Sequence, residues 1–141
     1  RDVAPSRGLG DVYKRQEEYM ALRQTAEDYL KTLYILSCKD EVRGAFIADE
    51  LGISRPTVCV TLRALEKEGY LTMDSTHAVH LTDEGMRIGM RIYKRYENLK
   101  KLLETLGVDR ATASEDACKM EHAVSDKSFS ALMSIIENKG V

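Results

Sequence analysis

The stretch from Phe46 to Leu71, F-I-A-D-E-L-G-I-S-R-P-T-V-C-V-T-L-R-A-L-E-K-E-G-Y-L, constrains this chain more than any other. Ile47, Ala48 and Leu51 put apolar side chains on one helical face. Gly52 follows the helix end, where a left-handed backbone is cheap only for glycine. Ser54 can cap the next helix, and Pro56 falls in its first turn, where the missing N–H is harmless. Val58, Leu62 and Leu65 then recur at spacings of four and three, the core face of a second helix. The pattern predicts a helix-turn-helix at about residues 43–51 and 55–68, a geometry that offers a helix N-terminus to the DNA major groove. Ser54, Arg55, Pro56, Thr57, Thr61 and Arg63 are the candidate DNA-binding residues: short hydroxyl donors, a rigid proline and two cations suited to phosphate and base-edge contacts.

The wing comes next. Leu71 and Met73 alternate with polar residues, as do Val79 and Leu81, and Asp74-Ser-Thr76 is turn chemistry between them. His77 and His80 should point to opposite faces, toward solvent or phosphate rather than a shared ion. Val42-Arg43 can add a short strand. A helix is predicted from about Ala26 to Ser37, with Ala26, Tyr29, Leu30, Leu33 and Tyr34 buried and Thr25-Ala-Glu-Asp28 as its capping box. After Thr82, a long helix should run from Asp83 to about Leu106 on a stripe of Ile88, Ile92, Tyr96, Leu99, Leu103 and Leu106. Asp109 caps a helix reaching about His122, and Ser125 caps a last one with Phe129, Leu132, Met133 and Ile136 on its apolar face. Lys139-Gly-Val is read as a frayed end.

The expected fold is mainly α: a winged helix-turn-helix DNA-binding domain over 20–82, then a helical dimerisation and metal-binding domain over 83–141. The later helices are too few to bury their stripes alone, so a homodimer is expected, matching the two-fold sites such modules read on double-stranded DNA. Residues 1–19 are set apart. Arg1–Gln16 has no amphipathic pattern, contains Pro5, Gly8 and Gly10, and includes D-V-Y-K-R-Q, a string resembling a translated transposon end. The native start is then expected at Met20 or upstream of the chain.

Net charge is -2 over 141 residues, low for a DNA binder, so the distribution of charge must matter more than its sum. Arg55, Arg63 and Lys67 lie on or near the recognition helix, and Arg87, Arg91, Lys94, Arg95, Lys100 and Lys101 on the long helix. No apolar run comes near the ~18 residues that a membrane-spanning helix needs, and no membrane partner is expected. Three scattered cysteines, Cys38, Cys59 and Cys118, fit a reducing cytoplasm better than a disulfide framework.

Cys118-Lys-Met-Glu121-His122 sets a thiol, a carboxylate and an imidazole at i, i+3 and i+4, so one helical face presents three metal-ligand types. A buried thiol, a surface Glu and a helix-end His would explain the same spacing without metal. Cys118 and His122 as nucleophile and base lack an orienting partner and a glycine-rich loop, so no enzymatic activity is expected.

Four passages resemble the diphtheria-toxin-repressor and manganese-transport-regulator family of metal-dependent repressors. They are Glu27-Asp-Tyr-Leu-Lys-Thr-Leu-Tyr34, Ile47–Val58, Leu81-Thr-Asp-Glu-Gly85 and Cys118-Lys-Met-Glu-His-Ala-Val-Ser-Asp126. The resemblance runs from about Thr25 to the end, in a short form without the family's SH3-like domain. It implies a metal-dependent DNA-binding transcriptional repressor controlling metal-ion homeostasis genes, with Fe(II) or Mn(II) as the metal and Zn(II) or Co(II) allowed by the ligands. It also implies a metal site of Asp28, Cys118, Glu121 and His122. Tyr96 stands where the family's long-helix histidine would be, Lys100 at the acidic position one turn on, Lys31 at a manganese-type Glu and Ser114 at an iron-type His. These changes remove the ligands of a second ion and add positive charge near the first. The alternative is therefore a winged-helix regulator with a degenerate site, in which Lys31 or Lys100 stands in for the cation at Glu121 or Asp28 and DNA binding needs no metal or follows another ligand.

Overall fold

The computed structural model describes the backbone of residues 5–38 and 41–138 and, within them, all side chains except those of 5–9 and 17–21. The elements run α1 (Pro5–Ser37), β1 (Val42–Arg43), α2 (Gly44–Leu51), α3 (Arg55–Lys67), β2 (Leu71–Met73), β3 (Ala78–Leu81), α4 (Asp83–Thr105), α5 (Arg110–Ala123) and α6 (Asp126–Asn138). The three strands form one antiparallel sheet in the order β1-β3-β2, with Leu71 opposite Leu81 and Val42 opposite Val79.

The helix-turn-helix forms for the reasons its residues suggest. Gly52 takes φ 67 at the end of α2. Ser54 has an extended backbone, and its Oγ accepts the Thr57 N–H at 3.4 Å. Tyr29, Leu30 and Leu33 of α1 meet Ile47 and Ala48 of α2, Val58, Leu62 and Leu65 of α3, and Val42, Leu71 and Val79 of the sheet in one buried core. At ~25 cal/mol per Å² of apolar surface, each fully buried aliphatic side chain here stabilises the module by about 2 kcal/mol. The wing turn is held by Asp74, whose carboxylate accepts Thr76 N–H (2.8 Å), Thr76 Oγ1–H (2.6 Å) and Ala78 N–H (3.1 Å).

Four expectations are corrected. The first helix does not begin at Ala26; it extends back to Pro5. Pro5 is harmless at a helix start, and Gly8 and Gly10 each cost only about 1 kcal/mol, so absence of an apolar stripe argues against burial and not against helix. The side chains of residues 10–16 are all exposed. Thr25 therefore sits inside α1 and not at its start. On α4 the buried line is Gly85, Gly89, Ile92, Arg95, Leu99 and Leu102, whereas Leu106 is exposed and Ile88, Tyr96 and Leu103 are half-buried. His77 and His80 are both exposed, as expected, but His77 is a turn residue with φ 66 to which strand alternation does not apply, and His80 binds the Asp74 carboxylate at 3.0 Å. Met20 and Lys139-Gly-Val lie outside the described side chains and residues.

Two glycines set the position of α4. A Cβ on Gly85 would overlap the Tyr70 carbonyl oxygen, and one on Gly89 would lie 2.5 Å from the Leu30 carbonyl oxygen. α4 can thus press against both the wing and α1, and it carries α5 on another face. Buried Arg95 ties α6 to this layer: it donates to Asp126 (3.1 Å) and to the Val124 carbonyl oxygen and stacks on the Phe129 ring. Only Ile136 of α6 is buried; Leu132 and Met133 are half-buried and Ile135 is exposed. No described helix is long and apolar enough to cross a membrane.

Candidate metal centre and nucleic-acid interface

Three of the buried charged groups among the described residues, Glu27, Lys31 and Glu121, gather where α1 meets α5. On α1, Glu27, Asp28 and Lys31 lie within about one turn and face α5; on α5, Glu121 and His122 face back. His122 Nε2 is 2.7 Å from Asp28 Oδ1 and 3.2 Å from Glu121 Oε1, and its Nδ1 is 3.0 Å from Glu27 Oε1. One ligand atom from each of Asp28, Glu121 and His122 lies within 4.8 Å of the others. Glu121 is 1% exposed, and among the described residues its Oε2 has no hydrogen-bond partner.

Burial disfavours the charged form of His122, but the bonds to Asp28, Glu121 and Glu27 outweigh it and push its pKa up to about 11. Burial likewise works to raise the Glu27 pKa, yet the His122 bond, with Arg23 and Arg91 nearby, holds it below the ordinary carboxylate value. Metal-free, the centre is thus an imidazolium ringed by carboxylates. Asp28, Glu121 and His122 would hold a divalent cation in place of the Nε2 proton, and Glu27 at Nδ1 would fix the tautomer that leaves Nε2 free to ligate. The orphaned Glu121 Oε2 and the nitrogen-and-oxygen donor set fit such an ion. A pocket bounded by Arg23, Gln24, Glu27, Lys119, His122 and Ala123 opens beside it.

Cys118, the fourth expected ligand, stands apart. Its Sγ accepts from Lys31 Nζ at 3.3 Å and does not belong to the three-residue cluster. Among the described residues no hydrogen bond joins it to His122. Glu27 was named in the sequence only as part of a motif. Its signal was a second acidic residue beside Asp28, but nothing short of the α1–α5 contact says that it faces an imidazole. Lys100 makes no described contact with Glu121 or Asp28; Lys31 does, at 2.6 Å from Glu121. Tyr96 and Ser114, far apart in sequence, bond to each other at 2.7 Å.

On α3, Ser54, Arg55, Pro56, Thr57 and Arg63 are exposed and Thr61 is half-buried. Ser54 Oγ and Thr57 Oγ1 share a 2.8 Å hydrogen bond, and Thr61 Oγ1 donates to the Thr57 carbonyl oxygen at 3.1 Å. The hydroxyls therefore first shape the helix start, and among the described residues no hydrogen bond or ion pair engages Arg55 or Arg63. Cys59 and Val60 are also exposed on this helix.

Comparison with known proteins meets this geometry on both halves. Residues 21–79 match the family "Iron dependent repressor, N-terminal DNA binding domain", and residues 82–139 match "Iron dependent repressor, metal binding and dimerisation domain". An uncharacterized HTH-type transcriptional regulator of Methanocaldococcus jannaschii is 31% identical over 119 residues, 82% of this chain and 95% of that protein. The transcriptional regulator MntR of Salmonella typhimurium is 31% identical over 127 residues, 89% of this chain and 81% of that protein. A solved manganese-dependent transcriptional repressor in complex with manganese superposes with a TM-score of 0.73 at 30% identity, over 79% of this chain and 52% of that one. The chain thus spans about half the length of that solved repressor. With both halves matched in order and a relative covered almost end to end, the chain belongs to the iron-dependent repressor family of metal-dependent transcriptional regulators.

Proposed function

We propose that this chain represses transcription by binding operator DNA as a homodimer when a divalent metal ion occupies the Asp28–Glu121–His122 centre, and that it governs metal-ion homeostasis genes. One observation carries the reading: ligand atoms from α1 of the DNA-binding unit and from α5 of the following unit converge within 4.8 Å. An ion there ties the two units together and limits the relative placement of the recognition helices in a dimer. Metal and DNA then favour the same arrangement, which is what couples their affinities. The units are taken as 20–82 and 83–141, with 1–19 outside both. α3 would enter the major groove with Arg55 and Arg63 on phosphate or guanine, and Ser54, Pro56, Thr57 and Thr61 shaping the approach. The half-exposed apolar face of α6 supports a second copy as the partner.

With Cys118 held by Lys31, the donors nearest the ion are two carboxylates and one imidazole. That harder set favours Mn(II) or Fe(II) over Zn(II) or Co(II). The test is anaerobic fluorescence-anisotropy titration of DNA from the region upstream of the protein's own gene, with Mn(II), Fe(II), Zn(II), Co(II) or a chelator. Binding at least tenfold tighter with one ion is expected; equal, tight binding in chelator would overturn the metal requirement.

A further inference from the structure

Lys31 lies deeper than a lysine lies without cause. Its side chain is 9% exposed, and its Nζ is 2.6 Å from Glu121 Oε1, whose own side chain is 0% exposed. The same Nζ lies 3.3 Å from Cys118 Sγ and 4.9 Å from the centre of the Tyr96 ring. Burial works against the ammonium, but the hydrogen bond and charge of Glu121, with Cys118 beside them, hold its pKa above the ordinary value. A carboxylate, a sulfur and an aromatic face around one cation form a coordination shell, not a surface ion pair. Tyr96 is held in that shell by its bond to Ser114.

Glu121 Oε1 faces two nitrogen groups: Lys31 Nζ at 2.6 Å and His122 Nε2 at 3.2 Å. One carboxylate therefore bridges two cation positions. On the His122 side the group is an imidazole, whose Nε2 belongs to the ligand cluster and can serve an ion as a donor. On the Lys31 side the group is an ammonium tethered to α1, which donates hydrogen bonds and has no lone pair to offer an ion. We propose that Lys31 is a tethered cation permanently filling the second of two cation positions on Glu121, so that the centre takes a single divalent ion per protomer and Cys118 is withheld from it. The ammonium also neutralises a carboxylate that would otherwise be buried without a counter-charge, so α1 and α5 stay joined on this side with or without the ion.

The count of one ion rests on the metal-dependent reading above, and the experiment separates the two. Chelator-stripped full-length wild type and Lys31→Glu are dialysed against Co(II), and bound ions are counted per protomer by elemental analysis. The variant should bind one ion more than the wild type and acquire the near-ultraviolet absorption of sulfur bound to Co(II). Equal counts in the two proteins would overturn the proposal. A wild-type count of zero with one in the variant would support the tethered cation while overturning metal dependence of the native protein. Because Lys31→Glu sets a second carboxylate against buried Glu121 in the metal-free protein, Lys31→Met provides a second arm. Its metal-free melting temperature should fall by roughly 10 °C, as expected when one partner of a buried ion pair is removed, and Co(II) should raise it by more than it raises that of the wild type. An unchanged metal-free melting temperature would overturn the proposal.

Discussion

The helix-turn-helix with its wing and the α1–α5 joint are neighbours built on opposite principles. The first is closed by aliphatic side chains: Ile47 is 0% exposed and Val58 1%. The second is closed by charge: Glu27, Lys31 and Glu121 are all buried, and His122 is gripped by three carboxylates. α1 serves both. Tyr29, Leu30 and Leu33 face the apolar core, while Glu27, Asp28 and Lys31 face α5. An apolar core has one preferred state and keeps its geometry across pH and metal concentration. A buried cluster of charges changes state whenever a proton or an ion enters or leaves. The molecule thus places a rigid reader beside a chemically adjustable joint and connects them through one helix.

The contrast can be broken most forcefully in the rigid half. Ile47→Ala should cost about 2–5 kcal/mol of unfolding free energy, and urea denaturation should give the same loss in chelator and in saturating metal. A loss that metal abolishes would mean that the reader is not independent of the joint. Next in size, Glu121→Ala should remove the metal dependence of DNA binding, read by anisotropy with and without Mn(II). A retained response would place the ion elsewhere. On α3, Arg55→Ala or Thr57→Ala should weaken operator binding by about 1–3 kcal/mol without altering metal affinity, and unchanged DNA affinity would take this helix out of the groove.

A gentler probe of the joint is pH. His122 is protonated in the metal-free fold with a pKa of about 11, well above its unfolded value of 6.5. Its stabilising contribution is therefore complete below pH 6.5 and fades as pH rises toward 11. An ion ligated by His122 would have to displace that proton, so metal affinity should rise about tenfold per pH unit between pH 6 and 8, measured by competition with a chelating dye. A flat profile would mean that the ion does not ligate His122. The smallest effect is expected from deleting Arg1–Gln16, whose described side chains at 10–16 are exposed: a change under about 0.5 kcal/mol in stability. A large loss of DNA affinity would instead make this segment part of the reader.

The reader was legible because its signals are local. Gly52, Ser54, Pro56 and the Val58–Leu62–Leu65 spacing each act within one helical turn of where they stand, and the elements formed within a residue or two of expectation. The start of α1 was not legible from periodicity, because an exposed helix needs no apolar stripe. The α4 stripe was misread for a related reason. A 23-residue helix that packs on the wing, α1 and α5 in turn does not bury a single line, and Gly85 and Gly89 are buried through close backbone approach rather than apolarity.

The sequence by itself determined the capped helices, the wing and the set of residue types able to hold a cation, since these follow from spacing and side-chain chemistry over a few residues. Only the tertiary structure decided that Glu27 grips His122, that Lys31 rather than Lys100 meets Glu121, and that Cys118 turns to the ammonium instead of the cluster. Those pairings span 87 to 95 residues of chain. Coulomb attraction in a desolvated interface selects them, and that selection exists only once α1, α4 and α5 have packed and excluded water.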